Sequence, residues 1–205
     1  EIISKLLLEL RRSLSRNGPY RFLIKRWNHI DDIDVITRLA DTEYLRDVIE
    51  PIELQIENYD RFLVLAPHQD DESIGCGGLM LQASKLGKNI DVIFTTDGKQ
   101  KIQNLTFEEV IQLRNKEAES ALSSVNAQIH HIDVDNLTIN LELQHIEKLS
   151  KYIERLKPDV ILLPWFLDGP VKHRLTNHML LFANQLVKIN TKIEVWAYQV
   201  HNSII

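Results

Sequence analysis

The chain has 205 residues, 44% hydrophobic and 26% charged, which is enough to bury one good core and ordinary for a globular domain. A net charge of −5 and a pI near 5.9 argue against a general nucleic-acid binder, which would show a basic stripe. The single cysteine, Cys76, excludes an intrachain disulfide and suits a reducing, cytoplasmic compartment, and no apolar run approaches the roughly 20 residues that span a bilayer. Because the chain opens on Glu1 rather than Met, a fragment or processed form is expected, and a removed targeting segment stays open.

Residues 1–60 read as a helical N-terminal extension. "ISKLLLELRRSLS" places Ile3, Leu6, Leu7, Leu10 and Leu14 on one face, and Gly18 and Pro19 stop that helix. "DDIDVITRLADTEYLRDVIEPIEL" keeps helical spacing up to Pro51. Arg11, Arg12, Arg16, Arg21, Lys25 and Arg26 make this segment basic. A solvated helical face is the plainer reading, and contact with a membrane surface or a partner is the sharper one.

From residue 61 the pattern alternates. Strands are predicted at 62–66, 90–95, 128–132, 159–164 and 193–198, with helices at 74–86, 106–123, 140–156 and 173–188. Nearly continuous apolar strands between amphipathic helices indicate a mostly parallel sheet covered on both faces. Residues 61–205 are therefore expected to form a doubly wound, Rossmann-like α/β domain.

At the end of its first strand stands "PHQDDE", residues 67–72. In open α/β sheets this is where ligands bind. Phosphate is a poor fit, because Asp70, Asp71 and Glu72 would repel it and the following glycines lack the G-x-G-x-x-G spacing. A cation relieves the repulsion. His68 and Asp71 offer a mixed nitrogen and oxygen set suited to zinc, or to another divalent ion, and Asp70 is left to act as general base on a bound water. Glu72 falls in a first helical turn, where its charge meets the helix dipole.

The motif resembles the "(P/A)-H-P-D-D-E" signature of the PIG-L/LmbE-like N-acetylglucosaminyl deacetylases. "TTDG" at 95–98, "RNKEAESAL" with Arg114 and Glu117, "PDVILLPWFLD" and "VWAYQV" follow in that family's order, so the likeness covers roughly residues 61–200. It implies a zinc-dependent amidase acting on an N-acetylated sugar, with His68 and Asp71 as metal ligands and Asp70 as the base. The family's third ligand is the last histidine of "D-P-H-P-D-H-R". Counting five residues on from Asp168 in "DGPVKHRLTN" lands on His173, followed by the matching Arg174. In this register Pro170 and Lys172 replace the family's first motif histidine and its aspartate, and Gln69 replaces the proline of the first motif. A rival register would put Asn177 and His178 in the ligand positions.

Arg114 is expected to contact substrate hydroxyls, as in the family, or to pair with Glu117 one turn on. Asp135, after the third strand, is read as a sugar-hydroxyl acceptor or as a turn residue in "DVDN". Cys76, His130, His131 and Trp165 read as packing residues, while His29 and His145 have no partner in sequence. The leading expectation is thus a metal-dependent deacetylase of an amino-sugar in a glycan precursor. The other is a noncatalytic carbohydrate-binding or assembly module on the same fold.

Overall fold

The computed structural model describes residues 53–166, 168–186 and 192–200. Five short apolar runs form one sheet: β1 (Arg61–Ala66), β2 (Asn89–Thr96), β3 (Gln128–Val134), β4 (Val160–Pro164) and β5 (Glu194–Tyr198). All neighbouring strands are parallel, in the order β3-β2-β1-β4-β5. β4 is buried at every position and β1 at all but Arg61, as expected for strands covered on both faces.

Four helices supply the cover: α1 (Asp71–Lys85), α2 (Phe107–Ser123), α3 (Leu143–Leu156) and α4 (Val171–Leu186). Side-chain alternation along the strands divides the core in two. Phe62, Val64 and Phe94 point to one face, against Met80 and Ala83 of α1 and Leu122 of α2. Leu63, Leu65 and Ile93 point to the other, against Leu149 and Ile153 of α3 and Met179 of α4. Ile56, in a short 3₁₀ turn before β1, packs into the first of these clusters. The expected Rossmann-like architecture is therefore the observed one.

Several boundaries differ from the sequence reading for identifiable reasons. α1 starts at Asp71 rather than 74, because Asp71 and Glu72 form its first turn, where negative charge meets the positive helix end. α3 starts at 143 rather than 140. Glu142 caps it, and the backbone N–H of Glu142 donates to Nδ1 of His145, which gives that histidine a local role. β3 runs on to Val134, two residues beyond expectation, past a register irregularity opposite Phe94–Thr96. The proposed helices and basic cluster of residues 1–52 lie outside the described residues. Among the described residues no helix is long and apolar enough to cross a membrane.

The strand order decides where a site can form. β1 crosses over to β2 on one side and β4 to β5 on the other, so a crevice opens beyond the carboxyl ends of adjacent β1 and β4. At the opposite end the Asp159 carboxylate accepts hydrogen bonds from the backbone N–H groups of Asp60 and Arg61 and from the Arg61 guanidinium, at 2.9–3.0 Å. These bonds lock the same two strands in register. Tyr198, at the end of β5, donates its hydroxyl to the Leu65 carbonyl at 2.8 Å and lays its ring on Gly75 of α1.

A Cβ at Gly75 would overlap that ring, whereas Gly77 faces open space. Gly75→Ala should cost about 1–3 kcal/mol by overpacking, while Gly77→Ala should be neutral or gain up to about 1 kcal/mol from helix propensity. Thermal unfolding of the two variants checks this, and a lowered Tm is expected for the first alone.

Candidate metal centre and active site

The two loops at the crevice carry the predicted residues. After β1 the chain turns through Pro67 to Asp70, and the His68 backbone N–H donates to Asp71 Oδ2 at 2.9 Å as α1 begins. After β4, Asp168 is fully buried and His173 sits in the first turns of α4. The two residues that follow His173 closely anchor its helix. Thr176 meets Thr95 of β2 at 2.9 Å, and Asn177 donates to the carbonyls of Pro164 and His173. His68, Asp71 and His173 consequently converge, their ligand atoms all within 4.8 Å of one another. His178 is exposed on the far side of the same helix, and Asn177 is engaged with backbone, so the rival register does not assemble a cluster.

Hydrogen bonding fixes what each ring offers. His68 Nε2 lies 3.0 Å from Asn136 Oδ1, and the Asn136 amide nitrogen donates to the Lys99 carbonyl at 2.8 Å, which orients the amide. Nε2 therefore carries the hydrogen, and Nδ1, 3.1 Å from Asp71 Oδ2, presents its lone pair. His173 Nδ1 lies 2.9 Å from Asp168 Oδ2, so that nitrogen carries the hydrogen, while Nε2 faces the same Asp71 oxygen at 3.4 Å. Two lone pairs and a carboxylate oxygen thus meet at one point, and such a set is stable only around positive charge. Burial by itself would push the Asp71 carboxyl up, but the adjoining imidazoles, His173 first and then His68, attract its negative charge whenever they carry a proton, and they hold the group well below the usual carboxylate range. For His173, burial is again the largest effect and favours the neutral ring. The contacts to Asp71 and Asp168 together overcome it and raise the imidazole above its ordinary value. The pocket favours a cation, proton or metal ion, and its two imidazoles and one carboxylate fit zinc.

Asp70 differs from its neighbour. Its side chain is 55% exposed, and Oδ2 accepts from Arg114 Nη2 at 3.2 Å. Its backbone N–H donates to Glu72, a buried carboxyl whose value burial pushes up. The same Arg114 nitrogen donates to the Gln69 carbonyl at 3.1 Å, and Asn115 accepts from the Gln69 amide at 2.9 Å. Consecutive residues of α2 thus grip both the backbone and the side chain of Gln69. Gly98, at φ +69°, completes the fit, because a Cβ there would overlap Gln69 Oε1. This clamp gives the loop the stiffness that a proline would otherwise supply. Arg114 pairs with the expected base rather than with Glu117.

Asp135 is engaged within its own loop. Its Oδ1 accepts from the backbone of Leu137 and Thr138 at 2.8 and 2.9 Å, and its Oδ2 from Lys99 at 2.7 Å. The Lys99 ammonium, then those backbone donors, hold its carboxyl well below the usual range. Sequence reading passed over its neighbour Asn136 and the loop lysine Lys99, and used Asp168 only as a counting mark. The polar "DN" at a strand end was the available signal. The remaining candidates are packing groups: burial pushes the Cys76 thiol up, His130 pairs with Asp91 at 2.7 Å, burial lowers His131, and Trp165 rests on Phe166.

Two outcomes follow from this geometry. His173→Ala should lose bound metal while His178→Ala keeps it, as read by metal content after dialysis. Asp168→Ala should weaken metal binding by about 10–100-fold, the usual cost of removing the partner that orients a ligating histidine.

Solved structures resembling this chain share its fold. The 4-carboxy-2-hydroxymuconate hydratase of Pseudomonas putida is 19% identical, with a TM-score of 0.59 over 67% of this chain and 65% of that one. The N,N'-diacetylchitobiose deacetylase of Pyrococcus horikoshii, complexed with an inhibitor, is 21% identical, with a TM-score of 0.58 over 85% of this chain and 67% of that one. The zinc-inhibited form of a teicoplanin deacetylase is 16% identical, with a TM-score of 0.55 over 68% of this chain and 67% of that one. The chain spans just under two thirds of the hydratase's length. No curated protein matches the sequence. The family described as PIG-L, GlcNAc-PI de-N-acetylase, matches residues 63–184, from the first strand through the helix that carries His173, and the chain belongs to that family.

Proposed function

We propose that this protein is a metal-dependent N-deacetylase, with zinc the preferred ion, acting on an N-acetylglucosamine-type sugar of a glycan or glycoconjugate precursor in the cytoplasm. The observation that carries the reading is the convergence of His68 Nδ1 and His173 Nε2 on Asp71 Oδ2, beside the half-exposed Asp70. Membership in the PIG-L family supports it, as do deacetylases among the similar structures.

His68, Asp71 and His173 would hold the ion, which when bound polarises the amide carbonyl and makes water a better nucleophile. The rest of the work falls to the protein. Arg114 keeps the Asp70 carboxylate turned toward the crevice by holding one of its oxygens. Asp70 accepts the proton of the attacking water as the water oxygen bonds to the acetyl carbon. The C–N bond then breaks, the proton passes to the sugar nitrogen, and the products are acetate and a free amine. Pro170 has no proton to give, so Asp70 returns the proton that it took.

Pro170 and Lys172, standing where the family has histidine and aspartate, favour a second reading in which the fold only binds sugar or assembles with others. Acetate release from N-acetylglucosamine derivatives, with and without a chelator, separates the two. Chelator-sensitive release is expected. No release from any amino-sugar derivative, with metal present, overturns the enzymatic reading. Because one similar deacetylase is known in a zinc-inhibited form, cobalt and manganese belong in the same assay. Asp70→Asn should keep its metal and lose on the order of 10²-fold or more in turnover, since it cannot take the water's proton.

A further inference from the structure

Asn136 is a side chain outside the ligand set that meets a ligand, His68, from across the sheet. It is 7% exposed and stands just past β3, two strands away from β1, which leads to His68. Its backbone N–H and both ends of its side-chain amide are committed. Its backbone N–H donates to Asp97 Oδ1 at 3.0 Å, its amide nitrogen donates to the Lys99 carbonyl at 2.8 Å, and its Oδ1 faces His68 Nε2 at 3.0 Å. Lys99 braces the loop by bridging Asp97 at 3.1 Å and Asp135 at 2.7 Å. Turning the amide over would set Oδ1 against the Lys99 carbonyl, two acceptors face to face, and would leave that carbonyl without its donor. The amide oxygen therefore stays on His68.

We propose that Asn136 is a positioning residue for metal capture: by accepting from Nε2 it holds His68 in the tautomer whose Nδ1 lone pair faces Asp71. His173 receives the same service from a carboxylate, Asp168, only five residues away on its own loop. His68 receives it from a neutral amide, so no further negative charge is added beside Asp71. A ring free to adopt the other tautomer would turn an N–H toward the ion and would have to give up that proton, or rotate, before binding. The inference rests on the metal reading proposed above, and the experiment separates the two.

The full chain is prepared metal-free, and the tautomer of His68 is read by two-dimensional ¹H–¹⁵N spectroscopy. Hydrogen on Nε2 is expected, and hydrogen on Nδ1 overturns the proposal. Zinc dissociation constants are then measured by chelator competition for the wild type, Asn136→Leu and Asn136→Asp. Asn136→Leu, which removes the acceptor, should bind zinc about 10–100-fold more weakly. Asn136→Asp breaks the bond to Lys99 but keeps an oxygen toward His68, so it should bind about as tightly as the wild type. A purely structural role would weaken both variants alike. Equal affinity in Asn136→Leu and the wild type, or equal loss in Asn136→Leu and Asn136→Asp, overturns the proposal. If Asn136→Leu does not fold, the tautomer in the unsubstituted protein and the affinity of Asn136→Asp decide. A wild type that binds no zinc, cobalt or manganese defeats the metal reading itself, which is a different result from zinc bound without regard to residue 136.

Discussion

Asp71 Oδ2 receives the His68 backbone N–H at 2.9 Å and faces one nitrogen of each of two imidazoles at 3.1 and 3.4 Å. Asp71 itself is 3% exposed, and the second ring has no exposure at all. A buried carboxylate is costly unless paired, and two lone pairs turned toward it worsen the repulsion unless a cation lies between them. The rest of the local structure can be understood as holding that arrangement in place. Asp168 and Asn136 decide which nitrogens are turned inward, and the bonds of Thr176 and Asn177 decide where the α4 helix stands.

The same loop has to do two chemically opposed jobs within two residues. Asp71 is buried and held ionised, while Asp70 is half-exposed and held by one guanidinium nitrogen. The start of α1 makes this division, because consecutive residues at a helix N-terminus point in different directions. Arg114 and Asn115 then secure Gln69 from α2, so the turn that carries both aspartates is gripped from outside as well as from within.

The sheet was legible because its strands are nearly continuous apolar runs. The run at 62–66 differs from β1 by one residue at its start, and the run at 90–95 from β2 by one residue at each end. The start of α1 was less so, since acidic residues in a first turn resemble a loop until the dipole is taken into account. At the site, the spacing of "PHQDDE" and the five-residue step from Asp168 pointed to three side chains that the fold does bring together. Arg114 and Asp135 were chosen for their chemistry, but spacing along one element cannot show that Arg114 reaches back 44 residues to Asp70, or that Lys99 occupies Asp135 from another loop. Asn136 was out of reach for the same reason, because its partner lies 68 residues earlier in the chain.

The pairing of β1 with β4 has a consequence for how such a protein comes into being. These strands are neighbours in space but are separated by the whole of α1, β2, α2, β3 and α3 in the chain. During synthesis the emerging amino-terminal half displays His68 and Asp71 with no third ligand, a pair too weak to retain an ion firmly. Only after α4 leaves the ribosome and docks can the imidazole of His173 close the set, and Tyr198 must follow before its ring can seat on α1. On the proposed metal reading, uptake of the ion would be a late event in the life of the chain, tied to non-local contacts that form slowly. The ion would be a seal on a finished sheet rather than a nucleus around which the sheet is built.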